Sequence, residues 1–389
     1  MINLVSFGWI VSILLLFLYS FTQIDLGLTL TRVSWWQGIQ KNFQLIGYFN
    51  RPLSTGFYLG ILLLLFVFYV LLLWLAKKDR LLPKNLWWLI GLTALVLLFS
   101  YPAFSHDIFN YIFDAKTVAF YHQNPYKVKP LDFPQDPMLG FMHWTHRPSI
   151  FPPFWIGLSI FPFVLGFGKF ILQLFWFKAM MTVFYLGTIW LIDKILRVLN
   201  VKNPIFHLAF YALNPLILLE SLVSGHYDGV MIFFALLFFY FLLKKNYFAS
   251  FMSLLFSVGI KYSTVILLPA FILVIWQRVR KKKVDYQKLN IIVILLMYLA
   301  VFAISYYIGF QPWYLLWVLP FVALETGSRL LTRLTIIFSL GCLLHYAPFL
   351  YLGNWNPPVP TIKIWLTVGF FALGLIGGLI IKNEKKTVF

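Results

Sequence analysis

The chain has 389 residues, 61% of them hydrophobic and 11% charged, with a mean hydropathy of +0.85 and a formal net charge of +19. No water-soluble fold hides this much apolar side chain, so the solvent must be lipid. The cations fall in short runs between apolar segments and read as membrane topology rather than nucleic-acid binding, and the single cysteine, Cys342, excludes a disulfide framework and a thiolate zinc cluster.

The first apolar run, 4–21, has no basic region before it and no convincing small-residue cleavage site, so it reads as a retained span rather than a signal peptide. Further runs of spanning length lie at 57–76, 86–101, 175–192, 206–223, 230–243, 291–308, 330–351 and 362–381. Crossing ~30 Å of hydrocarbon takes ~20 helical residues. All should be helices, because lipid gives the backbone no other hydrogen-bond partners. Basic clusters follow several of them: Lys77, Lys78, Arg80 and Lys84; Lys194, Arg197 and Lys202; Lys244 and Lys245; Arg278, Arg280 and Lys281 to Lys283; Arg329 and Arg333; and Lys382, Lys385 and Lys386. All are assigned to the cytoplasm.

That assignment forces two adjustments. Segment 102–150 then lies outside, and only one crossing fits between it and Lys194, so the run 151–167, opening Phe151-Pro152-Pro153, is predicted to be re-entrant or surface-lying. The run 247–276 has basic residues at both ends and is interrupted at Gly259-Ile260-Lys261-Tyr262-Ser263, so it divides into two short helices with Lys261 at the outer turn. With 313–324 as a short returning span, the reading is an all-α polytopic membrane protein of about twelve crossings (range 10–13), both termini inside. It forms one transmembrane unit over 1–389 with an outer loop at 102–170 and no soluble domain.

The candidate chemistry gathers on the predicted outer side. Of only twelve acids, four (Asp107, Asp114, Asp132 and Asp136) lie in 102–150 with His106, His122, His143, His146 and Arg147; adding His226, five of the seven histidines fall on that side. Polar residues in a solvated loop need no special reason. Asp107 differs, standing directly after the third span, with Ser105 placed to cap a short helix on which Asp107, Tyr111 and Asp114 share a face. Either Asp107 is itself a helix cap, or it is a partly desolvated carboxylate suited to general-base work. In Glu220-Ser221-Leu222-Val223-Ser224-Gly225-His226-Tyr227-Asp228, ionisable groups sit at membrane depth, where they face a partner or a polar cavity unless they merely cap the next helix or meet headgroups. Lys261 suits a phosphate near the membrane surface, or it snorkels to the interface. Gln311-Pro312-Trp313-Tyr314 taken alone is an interfacial aromatic anchor.

At these residues the chain resembles the integral-membrane glycosyltransferases of the GT-C fold, most closely the bacterial polyprenyl-phosphate-mannose-dependent mannosyltransferases. The resemblance rests on Ser105-His106-Asp107-Ile108-Phe109-Asn110-Tyr111, Asn124-Pro125-Tyr126, Phe151-Pro152-Pro153, Asn214-Pro215 with Gly225-His226-Tyr227-Asp228, Lys261-Tyr262-Ser263 with Pro269, and Pro312-Trp313-Tyr314, in that order. It implies a polyprenyl-phosphate sugar donor, a glycan or lipid-linked acceptor, and inverting transfer of a hexose such as mannose, with Asp107 as base. By the same resemblance Lys261, His226, Asp228 and Arg147 hold the donor phosphate, while His106, Tyr111, Tyr126, Gln311 and Trp313 contact substrate. The paired Asp-x-Asp or Glu-x-Asp of many relatives is absent, with Ser105 and Phe109 flanking the acid. A divalent metal therefore has no support from that motif, its use stays open, and no cofactor is assigned. The short chain suits a bacterial or archaeal plasma membrane. A transporter or flippase of lipid-linked saccharides, the main alternative, would place its polar residues near the midplane of broken helices in two related halves. A structural assembly subunit would need neither Asp107 nor the His226–Asp228 pair.

Overall fold

The computed structural model describes residues 2–326 and 328–383, the side chains of 378–383 excepted, so the cluster of Lys382, Lys385 and Lys386 lies outside the residues whose side chains are described. Among the described residues there are helices and turns and no strand. In chain order the helices are α1 (Ile2–Ser20), α2 (Ser34–Gln44), α3 (Arg51–Lys77), α4 (Pro83–Leu98), α5 (Asp107–Ala119), α6 (Pro153–Val164), α7 (Phe170–Val198), α8 (Pro204–Ala212) and α9 (Pro215–Ile217). They continue as α10 (Asp228–Leu243), α11 (Tyr247–Ile260), α12 (Leu268–Val279), α13 (Tyr286–Ile308), α14 (Leu319–Ala323), α15 (Arg329–Leu344), α16 (Tyr346–Leu352) and α17 (Val359–Asn383). A π-helical stretch at Leu218–Val223 follows α9, and 3-10 helices at Tyr262–Leu267 and Pro312–Trp317 precede α12 and α14.

Among the described residues, seven helices are long and apolar enough to cross a membrane, and an eighth span arises if Pro204–Ala212 and Pro215–Val223, bent by 43°, count as one. The remaining predicted crossings fall on shorter elements: α4, α10 and α11, and the Pro312–Trp317 helix with α14. The run predicted not to span is α6, whose 12 residues rise only about 18 Å and which packs on α5, α7 and α11. The break expected near Lys261 falls at Lys261 itself, where extended backbone separates α11 from the 3-10 helix.

Each long helix buries one stripe and shows lipid another. On α1, Val5, Trp9, Ile13, Leu16 and Tyr19 are buried at spacings of three and four, while Leu4, Phe7, Leu14, Leu15 and Leu18 are exposed. In water such a face would be an association surface; in hydrocarbon it is the solvated side. α10 is apolar on all sides and packs against α7 and α11, which places it in the centre of the bundle. Its first residue, Asp228, is fully buried.

Pro215 explains the bend. It supplies no N–H and breaks the helix, and the amides of Asn214 and Leu216, the helical partners of the Phe210 and Ala212 carbonyls, turn to the Tyr211 carbonyl and Asn214 Oδ1 instead. Tyrosine hydroxyls replace them: Tyr69 donates to the Phe210 carbonyl at 2.7 Å and Tyr185 to that of Ala212 at 2.6 Å. Beyond the bend, the Lys178 ammonium of α7, itself buried, donates to Ser100 Oγ and the Val223 carbonyl at 2.9 Å each, and to the Leu222 carbonyl. It thereby closes the end of the π-helical stretch, a geometry that recurs at functional sites.

Candidate active site

Asp107 is the first residue of α5; His106, not the expected Ser105, is the N-cap and makes no side-chain capping bond, while Ser105 Oγ accepts the Asp107 backbone N–H at 3.3 Å in a local turn. The Asp107 carboxylate, one quarter exposed, instead faces His226, with Oδ2 3.7 Å from Nδ1. His226 reaches the site because Gly225 takes φ +71°, which turns the chain so that the His226 N–H donates to the Glu220 carbonyl at 3.0 Å. The other imidazole nitrogen, Nε2, lies 3.3 Å from Oε2 of buried Glu220, and Tyr346 donates to Glu220 Oε1 at 2.8 Å. A run of carboxylate, imidazole, carboxylate and phenol thus leads from the rim into the bundle. The Trp313 ring stacks on His226 with centroids 4.3 Å apart. Burial pushes His226 toward its neutral form, but the neighbouring carboxylates, Glu220 first and then Asp107 and Asp228, outweigh it and hold the imidazole above its usual range.

Beside this run, Lys261 donates to Asp228 Oδ1 at 2.8 Å, and Trp317 Nε1 donates to the same oxygen. The ammonium also stands 4.7, 5.5 and 5.0 Å from the ring centroids of Tyr227, Tyr314 and Trp317. Beyond the ion-pair contacts of His226 with Glu220 and Asp107, two buried polar atoms here, Asp228 Oδ2 and the Tyr111 hydroxyl, find no side-chain hydrogen-bond partner among the described residues. Buried polar groups are nearly always paired, so their concentration at one place marks a site built for a polar ligand.

Asp107, Tyr111 and Asp114 do share a face of α5, but the face leads away from the cluster. The Tyr111 ring meets Tyr227, Phe151 and Trp155, and the Asp114 carboxylate accepts from Ser149 Oγ at 2.5 Å. Burial pushes the Asp114 carboxyl up to about 7, against the opposing pull of Ser149 and Arg147. Arg147 belongs with this second group, its guanidinium 4.7 Å over the Trp144 ring. Tyr126 ties the outer loop down by donating to the Phe151 carbonyl at 2.7 Å. Gln311 accepts from Lys363 of α17 at 3.4 Å. His106 turns from Asp107 toward Asp25, its Nε2 3.0 Å from both carboxylate oxygens. The structure therefore forms two neighbouring groups, Asp107 with His226 and Trp313 and Asp228 with Lys261, linked through Tyr314, with Tyr111 reaching Lys261 through Tyr227, and gives Arg147, Tyr126, Gln311 and His106 other partners.

Sequence reasoning quotes Glu220, Tyr227 and Tyr314 within motifs without giving them a role and passes over Trp317, Tyr346 and Asp25. For Glu220 the signal was present, a carboxylate in the middle of an apolar run. Aromatic residues in membrane segments carry no such signal, because most of them are anchors or filling.

The helical membrane architecture, with its acid, imidazole and caged lysine, is that of a multi-pass membrane glycosyltransferase of the GT-C type. More narrowly, the chain belongs to the alpha-(1->6)-mannopyranosyltransferase family, whose N-terminal domain model matches residues 8–278. It is a mannosyltransferase, working on a sugar donor and a glycan acceptor. The match takes in Asp107, Glu220, His226, Asp228 and Lys261 and ends before Trp313, Trp317 and Tyr346. No curated protein and no solved structure matches the chain.

Proposed function

We propose that the protein transfers mannose from a polyprenyl-phosphate-linked donor to an acceptor hydroxyl on the extracytoplasmic side of a bacterial or archaeal plasma membrane. Transfer inverts the anomeric centre, with Asp107 as general base, and both termini are cytoplasmic. The observation that carries this reading is the Asp107 carboxylate, partly open to solvent and 3.7 Å from a buried His226 that it shares with Glu220. Asp107 takes the proton of the acceptor hydroxyl; the oxygen attacks the anomeric carbon; the bond from that carbon to the phosphate oxygen breaks on the opposite face. The polyprenyl monophosphate leaves with the electron pair, and the proton remains on Asp107 until solvent removes it. An α product formed by inversion requires a β-configured donor. A (1->6) linkage uses an exocyclic primary hydroxyl, which stands off the sugar ring and can reach a recessed carboxylate.

Lys261 and His226 carry the positive charge suited to the departing phosphate, and these contacts strengthen as charge develops on its oxygen. The orphaned atoms around Asp228 and Tyr111 suit sugar hydroxyls, and Trp313 offers a stacking face. Arg147 contributes at longer range, through the Asp114 end of α5. In this reading 102–170 is the outer loop that carries α5 and α6 along the membrane surface.

The test is transfer from polyprenyl-phosphate mannose by purified, reconstituted protein. Asp107→Asn should lower turnover by about 10²–10⁴-fold while the protein elutes and unfolds as wild type does. Transfer at near wild-type rate in that variant removes Asp107 as the base. Single cysteines at 107, 228 and 279 separately test the orientation: labelling of 107 or 228 only from the cytoplasmic side would overturn it.

A further inference from the structure

A second group of ligating side chains stands next to Asp107 and takes no part in the chemistry above. Asp25 follows α1, His106 precedes α5, and His143 lies in the segment leading to α6. Asp25 is the only acid between α1 and α3, and the sequence pattern gives it no distinction. The fold nevertheless brings a ligand atom of each residue within 4.8 Å of the other two. His106 Nε2 is 3.0 Å from the Asp25 carboxylate, and His143 Nε2 is 3.8 Å from Asp25 Oδ1. The two imidazoles stack at 3.7 Å with 20° between their planes.

From these side chains we infer that Asp25, His106 and His143 form a binding site for a divalent transition ion of the zinc type, with one coordination position left open. Two imidazole nitrogens and one carboxylate oxygen are the donor set of a three-ligand zinc centre. Bonds of about 2.0–2.1 Å in a tetrahedron put neighbouring ligand atoms about 3.3 Å apart, and the observed 3.0 and 3.8 Å bracket that spacing. Binding needs the stacked rings to tilt apart. The movement falls to His143, whose side chain is 51% exposed, while Asp25 at 11% and His106 at 18% stay fixed.

The surroundings are those of a supported ligand. Tyr101 donates to Asp25 Oδ2 at 2.6 Å, and Gln44 donates to the Asp25 backbone carbonyl at 3.1 Å, so the carboxylate is oriented before any ion arrives. The His143 ring stands 3.8 Å from Asp25 Oδ1, beyond hydrogen-bonding distance of the carboxylate, and is half open to solvent. On binding, His106 presents the Nε2 lone pair to the ion, and the neutral ring keeps its one proton on Nδ1. The ion would tie together three segments far apart in sequence and fix the residue preceding Asp107. None of this depends on the donor proposed for the transfer reaction.

The experiment is titration of the full-length, detergent-purified protein with Co²⁺, followed by displacement with Zn²⁺. One equivalent of Co²⁺ should give the intense visible absorption of a four-coordinate ion, bleached by stoichiometric Zn²⁺. His143→Ala and Asp25→Asn should each abolish that band, Tyr101→Phe should weaken affinity by about 10–100-fold, and His146→Ala, a nearby exposed histidine, should leave it intact. His143→Ala truncates a half-exposed side chain, so its loss of binding is not a loss of fold; gel-filtration behaviour checks this. No stoichiometric binding, the weak absorption of an octahedral ion, or a band unchanged in His143→Ala would each overturn the site.

Discussion

Lys261 and Asp228 meet at 2.8 Å although 33 residues separate them, and three aromatic rings close around the ammonium. The pair is nearly dry, with side-chain exposures of 15% and 0%. Removing one partner from a buried pair leaves the other charge uncompensated, at a cost of about 3–5 kcal/mol. Lys261→Met or Asp228→Asn should therefore lower the unfolding midpoint more than Lys261→Met/Asp228→Asn together. Transfer should be lost in all three. Thermal unfolding of the purified variants separates the effects: if the double variant is the least stable, the pair is not coupled as described.

His226 should set the alkaline limit of activity. Its pKa is raised from 6.5, so its charge stabilises the fold fully below 6.5, and that contribution disappears as pH rises through the raised value. Buried against Glu220, Asp107 and Asp228 without its proton, the ring leaves three carboxylates facing one another. Activity should fall across that window, and His226→Gln should be slower by about 10–100-fold with the alkaline limb flattened. A pH–rate profile of the variant that retains the wild-type limb would assign the titration elsewhere.

Asp114 predicts an effect on stability rather than on rate. Its carboxyl titrates at about 7 in the fold against 3.8 ordinarily, so its contribution to stability is complete below 3.8 and lost as pH climbs through about 7. Asp114→Asn keeps an oxygen for Ser149 and removes the titration. At pH 8 the variant should unfold at a higher temperature than wild type, and the gap should narrow steadily as pH falls toward 3.8. Equal midpoints at pH 8 would show that Asp114 is ionised in the fold without penalty.

Trp313 should act on binding. Its ring covers His226 at 4.3 Å, and a cation under an indole face is worth about 0.5–2 kcal/mol. Trp313→Ala should raise the KM for the donor several-fold to about 30-fold, with a smaller change in kcat. A loss confined to kcat would place the ring at the reacting atoms instead.

Hydropathy and charge were enough to find the helices, because lipid permits few alternatives. Charge parity sets the run 151–167 apart from the spans, and α6 is a 12-residue helix, one of four short apolar helices with α4, α10 and α11 among the described residues. Lys261 could be placed at a break because a lysine inside an apolar run needs a reason. The partners of these residues could not be read. Glu220 finds Tyr346 across 126 positions, and neither helical period nor local spacing encodes such a meeting. The family resemblance places Arg147 with the phosphate ligands, and its position beside Trp144, at the Asp114 end of α5, is a matter of tertiary packing that the sequence does not encode. Asp25 was invisible because a single acid in a polar connection is the commonest thing a loop contains.

Lys178 bears on how the protein enters its membrane. About eight residues into α7, it carries an ammonium whose partners are Ser100 and two carbonyls at the end of the Leu218–Val223 stretch, with no acid among them. An isolated α7 would bring a charge into hydrocarbon at roughly 2.5–3.5 kcal/mol on insertion scales. Of its acceptors, Ser100 is synthesised before α7 and the two carbonyls after it. During synthesis, then, the Lys178 side chain meets its full set of acceptors only after the polypeptide behind α7 has emerged.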